Sequence, residues 1–253
     1  IRDAFRRLIH NWENSAERED IIEDIITHRC SFLIDRALRG LALDFDEALS
    51  ILRNHNNFTT ERERQQHEIL VAAINNLIDF AAAEEMTMIS ELPEEVDEEC
   101  LLDYETICEQ YNLTYAEAEN EQVLFAAKMA AWWMAVNAES VITYMTQGDE
   151  RVRPWHLSLE GVSYRPSEFP AELIPPIEWG CRCYLIANGF AGVRASLSID
   201  KCRSMVDPVF RESLATGGRI FTDAHRYFDK PLPEFAQKIV KRLKSKFYEQ
   251  DND

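Results

Sequence analysis

Apolar residues recur at steps of three and four over much of the first 147 positions. In EDIIEDIITHRCSFLIDRAL (19–38) the isoleucines and leucines fall on one face of a 3.6-residue period, which predicts an amphipathic helix. TTERERQQHEILVAAINNLIDFAAAEEM opens with Thr60 and, three residues on, Glu63, the spacing of a capping box, then runs apolar at Ile69, Leu70, Ala73, Leu77 and Phe80. Thr114 with Glu117 repeats that spacing ahead of ENEQVLFAAKMAAWWMAVNAESVITYM, so a further helix is expected to start there. Its stretch from Leu124 to Val136 is apolar on most sides, the pattern of a central, buried helix. Trp132 and Trp133 within it read as core or interface residues, with a ligand box as the rival reading.

Near residue 147 the pattern changes. Up to that point the only glycine and proline are Gly40 and Pro93; the other seven glycines and eight prolines follow. These residues punctuate turns and break helices, so a helical part gives way to loops and short strands. After Pro231 and Pro233, Phe235, Ile239, Leu243 and Phe247 recur every four residues and predict a short helix, whose other faces carry Lys238, Lys241, Arg242, Lys244 and Lys246. The expected fold is α+β and mostly α: a helical region over 1–147, a small loop-rich motif region over 148–230, and a basic amphipathic C-terminal helix and tail over 231–253.

Charge sharpens that division. The net charge is −18, and residues 1–147 hold 11 Lys and Arg against 30 Asp and Glu, whereas residues 148–253 hold 16 against 15. Such a balance disfavours nucleic acid as a general partner, because phosphate binding draws on Lys and Arg. The C-terminal basic stripe is the one place where DNA contact is conceivable, and packing on the acidic helices or on a neighbouring subunit explains it as well. The acidic run ELPEEVDEEC (91–100) reads as a solvated loop leading into a helix N-terminus, with a docking surface or cation site as the alternative. No apolar run is long enough for a bilayer span, and the opening IRDAFRRLIHNWEN offers no leader-like apolar region, so no membrane association is expected. Six cysteines are too few for a secreted disulfide scaffold, and a reducing cytoplasm is the default setting.

The candidate chemistry lies in GDERVRPWHLSLEGVSYRPSEFPAELIPPIEWGCRCYLIANGF, from Gly148 onward. An Asp-x-Arg-x-Arg-Pro-x-His cluster is followed by a proline-rich excursion and then by Cys181 and Cys183, one residue apart around Arg182. The segments DERVRPWHLSLEG and PPIEWGCRCYL, together with GGRIFTDAHRYF (217–228), resemble the Mu F-like family, the minor head or head morphogenesis proteins of tailed bacteriophages. The resemblance covers roughly residues 145–230, and its pattern falls on Asp149, Arg151, Arg153, His156, Gly161, Pro175, Pro176, Cys181, Arg182, Cys183, His225, Tyr227 and Phe228. This chain departs from it twice. Many members have Cys where Arg153 stands, and many have His shortly before the Cys-x-Cys, where this chain has Glu178 and Trp179; both departures remove potential metal ligands.

Read on its own residues, His156, Cys181, Cys183 and His225 would supply the four donors of a structural zinc. The opposing reading has His156 hydrogen-bonded to Asp149 and Arg151 with both thiols simply buried. Arg182 is placed to form a bidentate pair with Asp149 or Glu150, and Cys30, Cys100, Cys108 and Cys202, which show no ligand spacing, read as core fillers. The resemblance implies a non-enzymatic minor head protein of the virion, made in the host cytoplasm, near the portal or inner capsid, binding portal or capsid proteins or its own copies during head assembly or DNA packaging. The alternatives are a prophage-derived enzyme or toxin-associated module using His156 with Cys181 or Cys183, and a host-side binding module; no phosphate loop, HExxH or GxSxG motif supports an enzyme.

Overall fold

The computed structural model describes residues 1–54, 57–187 and 199–249. In chain order it contains α1 (Arg2–His10), α2 (Ser15–Leu41), α3 (Phe45–Leu52), α4 (Glu61–Ile89), α5 (Leu101–Glu109), α6 (Ala116–Ala135), β1 (Ile142–Met145), α7 (Pro154–Leu157), β2 (Ser163–Tyr164), β3 (Tyr184–Ala187), α8 (Ile199–Met205) and α9 (Glu234–Tyr248). Most helix therefore precedes β1, as the pattern predicts, and the fold is mostly α with a small β part.

Local sequence explains several boundaries. Asn14 caps α2 by accepting from the backbone N–H of Glu17. The box at α4 forms as expected: Thr60 Oγ1 accepts from Glu63 N, and the Glu63 carboxylate accepts from Thr60 N. The start expected at Thr114 does not form. From Leu101 the chain is already helical, passes through a π-helical turn at Gln110–Tyr115, and continues into α6 with no side-chain cap. Amides there are satisfied by the preceding turn, so the Thr-x-x-Glu spacing has no free donors to cap.

The core forms where α2 lies between α4 and α6, with α1 packed on α2 and α5. Ile25, Ile26, Leu33, Leu70, Leu77, Phe80, Val123 and Ala127 are all buried there. Trp133 is buried and Trp132 half-buried against the core. Gly40 permits close approach of α2 to α6: a Cβ on it would lie 2.4 Å from the Cβ of Ala127. Helix α9 packs across α2, α3 and α4, burying Ala236, Ile239, Val240 and Leu243, while Arg242 pairs with Glu23 and Lys244 with Asp79. Arg242 and Lys244 of the basic stripe thus meet acidic helices, one of the three readings its charge allowed.

A charged group sits inside this apolar core. Arg29 of α2 donates through Nε to Glu84 of α4 at 2.6 Å, through Nη2 to Glu119 of α6 at 2.6 Å, and through Nη1 to Asn120 at 2.8 Å. All three charged residues are buried, and Glu85 beside them is buried as well. One cation facing three carboxylates leaves negative charge poorly solvated; burial pushes Glu84 well up and raises Glu85 from its ordinary 4.5 to about 7.

The sheet is antiparallel in the order β2-β1-β3, with Tyr144 opposite Leu185 and Met145 opposite Tyr184. β1 precedes residue 147 and both its partners follow it, so the sheet spans the change in composition. The segment 217–228 packs back onto the helices. Asn76, buried in α4, accepts from the N–H groups of Ile220 and Phe221 and donates to the carbonyl of Phe221.

Candidate functional site

The two cysteines stand just ahead of β3 and continue its alternation of faces. In extended backbone, side chains at i and i+2 share a face, and burial alternates through Cys181, Cys183 and Leu185 while Arg182 and Tyr184 point the other way. Ahead of them, Glu178 to Cys181 form a turn closed by the Cys181 N–H to the Glu178 carbonyl. Gly180 stands at its third position with φ of 67°, a conformation that costs glycine little. Because Tyr144 lies opposite Leu185 in the ladder, its ring occupies the same face as both thiols.

The Asp-x-Arg-x-Arg-Pro-x-His segment is laced onto this strand. Gln147 donates to the Arg182 carbonyl at 2.9 Å, Arg182 grips Asp149 through two bonds of 2.8 and 2.6 Å, and Arg153 donates to the Trp179 carbonyl at 2.6 Å. The pairing partner of Arg182 is therefore Asp149, whose carboxyl the guanidinium holds below the usual range. Pro154 occupies the first turn of α7, where a missing N–H is harmless, and the turn delivers His156 into the interior. Arg151 stays exposed, whereas Gly161 donates its N–H to the Tyr144 carbonyl and so anchors the next turn to β1.

His156 meets neither Asp149 nor Arg151 by hydrogen bond. Its Nδ1 lies 3.3 Å from Cys183 Sγ, and its Nε2 lies 2.6 Å from Glu178 Oε1, which also stands 2.7 Å from Arg153 Nε. The two contacts of that carboxylate oxygen are ion-pair contacts, neither reaching the angle of a directed hydrogen bond. Arg153 and Glu178, the two departures from the family pattern, thus face one another. Donor atoms of His156, Cys181 and Cys183 all lie within 4.8 Å of one another, and all three residues are buried.

His225 does not join them. Its ring is packed among Phe80, Trp179, Phe221 and Tyr227, and its Nδ1 accepts from the Tyr227 N–H. Burial, and next the neighbouring Arg226, pull it down to about 4, so it stays neutral at ordinary pH. The four-donor set expected from sequence is corrected to three, because the 217–228 segment is drawn to the helices by aromatic burial. Tyr227 donates to Glu119 at 2.8 Å, tying that segment to the buried charge group, and Phe228 meets the edge of Phe80.

Electrostatics at the thiols follow from their proximity. The Cys183 S–H favours ionisation of Cys181, whose pKa falls well below the ordinary thiol value with help from His156; the same contact and burial push Cys183 up. Burial raises Glu178, against the pull of His156 and Arg153, and raises Tyr144. The Tyr144 hydroxyl is buried against the thiols and makes no directed hydrogen bond. Space beside His156 and Cys183 amounts to about 10 Å³, walled in part by Arg151, Arg153 and Arg182, which is the size of one water and excludes an organic substrate.

Tyr144 is the member of the cluster that the sequence did not single out, and Glu178 was noted only as a departure from the family pattern. Glu178 carries a weak signal, lying three residues ahead of Cys181; Tyr144 carries none until β1 and β3 are paired. Of the other cysteines, Cys30, Cys108 and Cys202 are buried and Cys100 is half-buried, in keeping with core packing.

Residues 84–186 match the protein family described as Phage Mu protein F like protein. The match runs from Glu84 through α5, α6 and the sheet into β3, and stops short of 217–228. An uncharacterized protein of Methanocaldococcus jannaschii is 52% identical over 42 residues, 17% of this chain and 7% of that protein, so the chain spans a small fraction of that relative. No solved structure matches the chain. The stretch that holds His156, Cys181 and Cys183 therefore lies within the 84–186 segment that is similar to this phage family.

Proposed function

We propose that this chain is a minor structural protein of a tailed bacteriophage head, associating with the portal or the inner capsid surface during head assembly or DNA packaging. The Mu F-like match over 84–186 carries this reading. The structure supports it in two ways. The motif residues make contacts that hold the protein's own segments together: Arg182 with Asp149, Arg153 with the Trp179 carbonyl, Gly161 with β1. The net charge of −18 suits protein contacts better than genome contacts. No helix among the described residues is long and apolar enough to cross a membrane.

A second reading rests on Glu178, His156 and Cys183, which fall in the order of orienter, base and nucleophile. Against it stand the burial of both thiols, at 4% and 2% exposure, and an adjoining space too small for a substrate.

The test is co-expression with the portal and major capsid proteins of the same phage, followed by affinity capture at moderate salt and analysis of purified particles. The expected result is capture of at least one of the two and a low copy number in particles. Particles lacking the chain, together with failure to capture either protein, would sink the proposal.

A further inference from the structure

We infer that Cys181, Cys183 and His156 bind one zinc-class cation, with the Tyr144 hydroxyl facing the fourth position and Glu178 orienting the histidine from behind. This assignment goes beyond the assembly role and does not depend on it.

Four observations converge. A tetrahedral zinc with bonds of about 2.0–2.3 Å sets its donors roughly 3.5 Å apart. Nδ1 of His156 and Sγ of Cys183 already stand 3.3 Å apart, and the whole three-atom set fits within 4.8 Å. Two sulfurs and an imidazole nitrogen are a donor set that selects zinc over magnesium or calcium, which take hard oxygen ligands. The ring is also turned the right way. With the Glu178 carboxylate 2.6 Å from Nε2, its charge favours the ring proton on that side, which leaves the Nδ1 lone pair to the cation.

The fourth observation is independent of the ligands. Tyr144 is 1% exposed, and its hydroxyl lies against the two thiols without a directed hydrogen bond. A buried hydroxyl left unpaired costs about 1–3 kcal/mol. A cation between the sulfurs would satisfy it, either by direct ligation or through a bound water for which the hydroxyl is a partner. Both cysteines are free thiols. His225 is excluded, since its Nδ1 is committed to Tyr227 and its ring to the aromatic cluster.

The experiment uses the full chain, purified without chelator. Zinc is counted by inductively coupled plasma mass spectrometry, and the metal-free protein is titrated with cobalt(II) and followed by absorption. The expected results are about one zinc per chain, and cobalt uptake at one per chain with thiolate charge-transfer and tetrahedral ligand-field bands. Cys181→Ser and Cys183→Ser should each abolish the charge-transfer band or weaken it strongly. Glu178→Gln should keep the bands and weaken binding about 10–100-fold, and Tyr144→Phe should shift the ligand-field bands. His225→Phe should change none of these readouts. Wild-type protein that takes up no zinc and shows no cobalt–thiolate band overturns the site, whether or not the serine variants fold. Loss of metal in His225→Phe overturns the three-residue assignment, and an unaltered cobalt spectrum in Tyr144→Phe removes Tyr144 from it.

Discussion

At Gly40 two residue-level rules conflict, and packing decides between them. Helix propensity favours alanine over glycine by about 1 kcal/mol in a helix interior. A Cβ there, however, would stand 2.4 Å from the Ala127 Cβ and 2.8 Å from the Leu124 carbonyl oxygen, and neither the methyl nor the backbone of α6 can swing aside. Gly40→Ala is therefore expected to lower stability by about 1–3 kcal/mol, as overpacking does. Urea denaturation checks this, and a stabilised variant would show that α2 and α6 separate more readily than their contact implies. The same competition explains His225: as a residue type it reads as a ligand, and its surroundings make it a core aromatic.

Between elements, a few buried polar side chains make the connections. Asn76 is the clearest case, since one side chain of α4 serves two amides and a carbonyl of the 220–221 backbone. Replacing it with alanine would leave those backbone groups buried and unpaired, at about 1–3 kcal/mol for each unsatisfied group. Asn76→Ala should lower the melting temperature, and amide hydrogen exchange should rise first at Ile220 and Phe221. Unchanged protection at those amides would mean that the segment is held by its aromatic contacts alone. The π-helical turn at Gln110–Tyr115 belongs to this scale too. It sets Tyr111 and Tyr115 edge to face, with Arg226 4.4 Å above the Tyr115 ring, so a local irregularity in the helix becomes a contact with the 217–228 segment.

For the molecule as a whole, the consequence of its acidity is sharpest inside, where Arg29 faces Glu84, Glu85 and Glu119. Glu85 is raised by burial to about 7, above its ordinary 4.5, so the folded state binds more protons than the unfolded state between those values. Stability from this group is present below about pH 4.5 and is lost as pH rises through about 7. Glu85→Gln, which keeps an acceptor for Asn112, should raise the melting temperature at pH 8 and change it little at pH 5. Melting curves across that range check the sign; an equal shift at both values would show that the carboxyl does not titrate there.

Much of the helical architecture was legible along the chain, because a 3.6-residue apolar period and a capping box are local signals: α2, α4, most of α6 and the amphipathic α9 follow from them, whereas the central position falls to α2 and one side of α6 stays partly open. The motif order around Asp149, Arg153, His156 and Cys181–Cys183 was legible for the same reason, and so was the pairing of Arg182 with a nearby acid. Distant meetings were not. That His156 points one nitrogen at Cys183 and the other at Glu178, that Tyr144 lies over the thiols, and that His225 leaves them for Phe80 and Trp179 depend on strand register and on aromatic burial between segments far apart in sequence. Periodicity reports which face of an element is apolar, whereas only the packed chain determines which faces meet.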